Sequence, residues 1–358
     1  MIGERRAPFG PLRLGVHFDK VARPVAAAGK RQVGGRYLAR MSDLERAVSA
    51  VVRDCLAVRE GEQVVVVCNP ATIGLGERLR AEAGRAGAEG MLCLMTERET
   101  HGTEPPPPIA AAIAAADVVL AATVQSLSHT AARRAATEAG ARVASLPGIT
   151  EDMLARVMTA DMEGLRRRGE AIAEILTRGS EARIACANGS DLRLELGDRE
   201  GIPDAGDLTA PAAFGNLPCG EGFISPLQDR GAGRLVVDGT IAGLGRVPQP
   251  VELTVEDGHL TAGSGPTGER LMELLTAHGD DGTNVAELGI GTNERAQLTG
   301  ELLEDEKILG SCHVAFGASA GIGGTVQVPV HLDCVVLRPD VSVDGEPLVR
   351  DGRLLVGD

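Results

Sequence analysis

The chain of 358 residues contains no tryptophan, a single tyrosine (Tyr37) and five phenylalanines. Stacked aromatic rings therefore cannot organise its interior. Ala, Val, Leu and Ile must fill the core, with 47 glycines allowing close approach of backbones. Basic charge is also scarce, with 36 Lys and Arg against 50 Asp and Glu and a net charge of −14. A protein that neutralises phosphates needs a basic face, so no nucleic acid is expected as a partner. No apolar run approaches the roughly 20 residues of a membrane span, so no membrane is expected either. The seven cysteines, at 55, 68, 93, 186, 219, 312 and 334, form no C-x-x-C pair and several lie in apolar runs. They read as reduced, mostly buried thiols of a reducing compartment, which points to a cytoplasmic protein.

The organisation falls into three parts. Residues 1–40 are rich in Arg and Lys, opposed only by Glu4 and Asp19, and have no periodic apolar face. They are expected to be a basic, structureless extension. Met41-Ser-Asp-Leu-Glu-Arg looks like a fresh start, with Ser42 as N-cap and Glu45 three positions on. Residues 41–180 then alternate helical and strand patterns: a helix over 42–58, strands at 64–68, 90–95, 117–123 and 142–146, helices between them, and a long helix over 160–178. Such alternation predicts an α/β domain with a mostly parallel sheet covered on both faces. From about 181 to 358 short strands, Gly and Pro dominate, and Val255-Glu-Asp-Gly-His259 signals a hairpin. A helix over 268–278 and a short one over 294–306 interrupt. This half is expected to be a strand-rich α+β domain.

One stretch, HVAFGASAGIGGTVQVPVHLD over 313–333, poses a choice. Its centre resembles a dinucleotide-binding glycine turn, and its ends resemble metal ligands. A dinucleotide fingerprint needs a helix directly after the turn. Here Gly324-Thr-Val-Gln-Val-Pro-Val330 is β-branched, alternating and broken by Pro329. No acidic residue follows at the required distance, because Asp333 comes too early. The ends carry more information. His331 and Asp333, two apart on a strand-like run, point to the same face and can converge on one ion. His313 lies on the preceding strand-like run, and a tight glycine turn would bring it alongside.

Two glutamates stand in odd settings. Glu221 lies in the apolar, Pro/Gly-bounded loop NLPCGEGFISP, and Glu287 in VAELGIGTN. No Lys or Arg stands near either before Arg230 and Arg295. Carboxylates so placed are expected to be buried, and buried charges are paired or coordinate metals. Glu306, in LLEDE, fits equally well on a solvated helix face.

The motifs NLPCGEGFISP, AELGIGTN, LLEDEKILGSCHVAFG and VPVHLD, in this order, resemble those of the aminopeptidase T family, the M29 metallopeptidases. The likeness runs over roughly residues 45–356 and is strongest in the last 150. It implies a two-domain, dimeric fold and a dinuclear centre of zinc, cobalt or manganese. Carried onto this chain, it implies Glu221, Glu287, Glu306, His313, His331 and Asp333 as ligands; at such a centre Glu221 or Glu287 is expected to be catalytic, bridging the ions or accepting the water's proton. Two departures stand out. The family's glutamate at the position of Glu306 lies two residues closer to the following histidine. Its active-site tyrosine, seven residues after the position of His313, is Ala320 here.

Mixed Glu, His and Asp ligands suit borderline and hard divalent ions, and two such ions activate water and polarise a carbonyl together. The leading expectation is a hydrolase that removes an N-terminal residue or cleaves a related small amide. A small peptide or other small molecule is the expected substrate, and a homodimer the expected assembly. The rival is a mononuclear Fe(II) ring-cleaving dioxygenase, because His313, His331 and Asp333 also make a two-His, one-carboxylate set. The 2,5-dihydroxypyridine dioxygenases resemble the same family and keep the H-x-D. They have histidine at the position of Glu287 and lack the glutamate of the GEGF loop.

Overall fold

In the computed structural model the fold is described for residues 41–357, and the extension expected over 1–40 lies outside the described residues. Ser42 caps the first helix, Asp43–Ser49, in the manner its sequence predicts. Its hydroxyl accepts from the Glu45 amide, while the Glu45 carboxylate accepts from the Ser42 amide. The helix continues as a π-helical segment, Ala50–Cys55. Five strands then make a parallel sheet, in the order Glu89–Leu94, Gln63–Cys68, Val118–Ala122, Arg142–Ser145 and Phe214–Asn216. The last of these comes from well beyond residue 180. Val64, Val66, Val118 and Leu120 face one apolar core, and Val65, Val67 and Val119 face another on the opposite side. Burial on both faces explains why these strands read as unbroken apolar runs.

The long helix Met162–Arg178 leads into two antiparallel sheets. One has eight strands and includes the hairpin of Val251–Glu256 and His259–Gly263. Asp257 and Gly258 turn that hairpin with φ of 47° and 74°, the left-handed conformation that a two-residue hairpin loop requires. The other has seven strands, in the order Gly245–Arg246, Thr240–Ile241, His331–Val336, Cys312–Gly317, Val285–Gly291, Glu221–Ile224 and Ile202–Asp204. Ile224, Leu288, Ile290, Val314, Phe316, Cys334 and Val336 of this sheet share a core with Leu192, Leu194, Leu235 and Leu253 of the first. The architecture is thus an α/β region with a parallel sheet, followed by a strand-rich region.

Two local expectations change. Helix is confined to Leu302–Asp305 within 294–306, because Asp305 accepts hydrogen bonds from the Thr299 and Gly300 amides and fixes the preceding residues as a loop. The other helix begins earlier than expected, as Gly265–Thr276, with Pro266 in its first turn. All seven cysteines are free thiols, and five are buried. Among the described residues no helix is long and apolar enough to cross a membrane.

Candidate metal centre

The strand periodicity of two divides the seven-stranded sheet into a core face and a second face. The second face carries the polar residues. Register pairs Gly291 with Glu221, Gly289 with His313, Glu287 with Ala315, Asp333 with Ala315 and His331 with Gly317. Glu221, Glu287, His313, His331 and Asp333 therefore project from one face of four adjacent strands. Gly289 is essential to this arrangement, since a Cβ there would overlap the imidazole of His313. Glu306 joins them from the end of the helical turn Leu302–Asp305 and is buried, so the expectation of a solvated helix face is not met. Its burial comes from the fold around the turn, which the four-residue charge run conceals.

The geometry is compact. Glu287 directs Oε1 to His313 Nε2 at 3.3 Å and Oε2 to His331 Nε2 at 3.3 Å. Glu221 Oε2 lies 3.2 Å from His313 Nε2, and Asp333 Oδ1 lies 3.5 Å from His331 Nε2. The Nδ1 of His331 is 2.7 Å from the Ala318 carbonyl, which fixes the proton on Nδ1 and leaves Nε2 facing the carboxylates. Three sets of ligand atoms each fall within 4.8 Å: Glu221, Glu287 and His313; Glu287, His331 and Asp333; Glu306, His313 and Asp333.

Lys307 is the residue that the sequence reading missed. It is fully buried, with Nζ 2.6 Å from Glu221 Oε1, 2.7 Å from Glu306 Oε1 and 3.6 Å from Asp204 Oδ2. The expectation that Glu221 has no cationic neighbour is thereby corrected. Its partner comes from 86 positions away in sequence, beyond the reach of any local window. Lys307 ends a run of four buried charges. Glu304 pairs with Arg156 and accepts from the Gln297 amide, and Asp305 accepts from Thr240 and Thr299. A run of four charges wedged between Leu303 and Ile308 was the available signal.

Electrostatics follow from this packing. Burial pushes the Lys307 ammonium towards neutrality, but Glu221, Glu306 and Asp204 outweigh it and hold the pKa well above the usual lysine range. Burial likewise opposes ionisation of Glu221, and Lys307 and His313 overcome it, drawing the carboxyl down to about 2. Asp333 is also drawn down to about 2 against its burial, chiefly by His331. For Glu306 burial wins, aided by Glu221 and Asp333, and its pKa rises to about 8. His313 and His331 are held well above the usual histidine range, because the adjacent carboxylates outweigh burial.

The donor set fits divalent metal on two counts. Glu221 Oε2 is buried near His313 without hydrogen-bond alignment and has no other partner, as expected of a ligand atom aimed at a shared point. Asp204, Glu221 and Glu306 face the ammonium of Lys307, while Glu287 and Asp333 have only the imidazoles of His313 and His331 as partners. With both imidazoles neutral, as ligation to a metal requires, the carboxylates would outnumber the one ammonium and leave net negative charge for divalent cations. The glycine-rich stretch leads from Cys312–Gly317 into one 3₁₀ turn, Ala320–Ile322, and then an irregular segment to His331. That is not the strand–turn–helix of a dinucleotide site. Ala320, at the tyrosine position, is exposed.

Comparisons with known proteins agree with this architecture. The structure of 2,5-dihydroxypyridine dioxygenase from Pseudomonas putida KT2440 superposes with a TM-score of 0.74 at 21% identity, covering 88% of this chain and 98% of that one. Wild-type AmpT from Thermus thermophilus superposes with a TM-score of 0.66 at 18% identity, covering 88% of this chain and 99% of that one. At these identities the likeness establishes the shared fold. No curated protein sequence matches. The family model described as NicX, 2,5-dihydroxypyridine 5,6-dioxygenase, matches residues 43–356, and the chain belongs to that family.

Proposed function

We propose that the chain is a metal-dependent hydrolase that cleaves a small amide, such as the first peptide bond of a short peptide, at a centre of two divalent ions. One observation carries this reading. The two oxygens of Glu287 face two different imidazoles, and each imidazole has a further carboxylate of its own, Glu221 beside His313 and Asp333 beside His331. A carboxylate so divided is suited to bridge two cations. Glu221, Glu287 and His313 would hold one ion, and Glu287, His331 and Asp333 the other, with Glu306 near the first. Zinc, cobalt or manganese bound there would polarise the scissile carbonyl and lower the pKa of water.

The protein's own groups have separate tasks in this reading. The Ala318 carbonyl orients His331 by holding its Nδ1 proton. Gly289 makes room for His313. Lys307 keeps Glu221 ionised and restrains its Oε1, so that only Oε2 is turned to the centre. No tyrosine follows His313 to donate a hydrogen bond to a developing oxyanion, so the metal positions must supply most of that stabilisation.

A second reading is an Fe(II) ring-cleaving dioxygenase, favoured by the family match over 43–356. Glutamate at 287 argues for the hydrolase, because it adds a carboxylate between two imidazoles where a mononuclear two-His, one-carboxylate site has no use for it, whereas the charge of Glu221 is already shared with Lys307. Metal analysis of protein purified without added metal, with parallel assays, separates the two. The hydrolase reading expects about two ions of zinc, cobalt or manganese per chain and release of an N-terminal residue from small peptides. A single iron with dioxygen uptake on 2,5-dihydroxypyridine would reverse the ranking.

A further inference from the structure

We propose that Lys307 makes the two metal positions unequal, its fixed ammonium weakening the inner position, formed by Glu221, Glu287 and His313, relative to the outer one, formed by Glu287, His331 and Asp333. The inference rests on the two-ion reading and deepens it. Lys307 Nζ is 2.6 Å from Glu221 Oε1, and Glu221 offers its other oxygen to the inner position. A cation at the inner position must therefore share a carboxylate with an ammonium already in place. It gains only part of the charge of Glu221 and meets repulsion from Lys307 in a buried, weakly screened setting. Glu306, which could serve the same position, is likewise engaged by Lys307 at 2.7 Å. The outer position shares neither contact. His331 contacts both Glu287 and Asp333, and its Nδ1 proton goes to a backbone carbonyl.

Asp204 adds a counterweight. It stands 3.6 Å from Lys307 Nζ, at the start of the strand pair that joins Asp204 to Glu221 in register. Its charge draws the ammonium away from Glu221, and without it Lys307 would bear more fully on Glu221 and Glu306. The affinity difference is thus set by how one buried ammonium is divided among three carboxylates. One tightly held ion with a second, exchangeable ion follows from that division.

The test is titration of metal-free protein with Co(II), followed by calorimetry and by the visible absorption of the bound ion. The unmodified chain is expected to show two classes of site separated by more than about tenfold in Kd, the Coulombic effect of a nearby buried charge being at least that large. Lys307→Met is expected to tighten the weak class by more than about tenfold and bring the classes together. Asp204→Asn, which keeps shape and is partly solvent-exposed, is expected to weaken the weak class further while leaving the tight class unchanged, and it serves if Lys307→Met does not fold. Two equal sites in the unmodified chain would overturn this inference and leave the two-ion reading standing. A weak class unmoved by Lys307→Met, or tightened by Asp204→Asn, would overturn it as well. One site only, or none, would overturn the two-ion reading and this inference with it.

Discussion

The imidazole of His313 lies over Gly289, its register partner on the neighbouring strand, so closely that a Cβ on Gly289 would overlap Nε2 and Cε1. Gly289→Ala is expected to push His313 out of reach of Glu221 and Glu287. Metal content should fall to about one ion or fewer per chain, because the inner position depends on that imidazole. Metal analysis and circular dichroism check this together. An unchanged metal content with intact fold would show that His313 is not a ligand.

Glu287 contacts both imidazoles, whereas His331 serves one position only. Glu287→Gln is therefore expected to weaken both ions, and His331→Ala chiefly the outer one. Calorimetric titration with zinc gives the comparison, and hydrolysis should be abolished in both variants. Retention of two tight ions in Glu287→Gln would rule out the bridging role.

Among the described residues Arg156 is the one side-chain partner of the fully buried Glu304, whose Oε2 has none. Arg156→Met is expected to cost about 3–5 kcal/mol, the effect of stranding a buried charge. Arg167, in an exposed pair with Glu163, provides the control: Arg167→Met should change stability by no more than about 0.5 kcal/mol. Urea unfolding midpoints decide between these magnitudes.

Turnover of ordinary leucyl peptides is expected to be slow. Ala320 occupies the position of an active-site tyrosine, and loss of an oxyanion donor costs about 2.7–4 kcal/mol, or roughly 10²–10³ in kcat. A panel of aminoacyl substrates, run beside a tyrosine-containing aminopeptidase T, measures the deficit. Equal turnover across the panel would defeat the expectation.

Much of this centre was legible as residue types. His331 and Asp333 declared themselves by spacing, since two positions on a strand share a face. Glu221 and Glu287 declared themselves by isolation among apolar neighbours, where a bare carboxylate is costly. The parallel sheet was legible because burial on both faces leaves unbroken runs such as the one over 64–67. The hairpin at Asp257 and Gly258 was legible because few residues tolerate positive φ.

Pairing across distance was decided only by the tertiary structure. The register of Glu221–Ile224, Val285–Gly291, Cys312–Gly317 and His331–Val336 puts five side chains on one face, and a slip of one residue on any strand would turn its ligand into the core. The sequence determined which residues are unfit for solvent or for an apolar interior. It did not determine that Lys307 would meet Glu221 and Asp204, because an ammonium selects its carboxylates by proximity in space, and that proximity arises only when the strands have paired and the turn ending at Asp305 has closed over them.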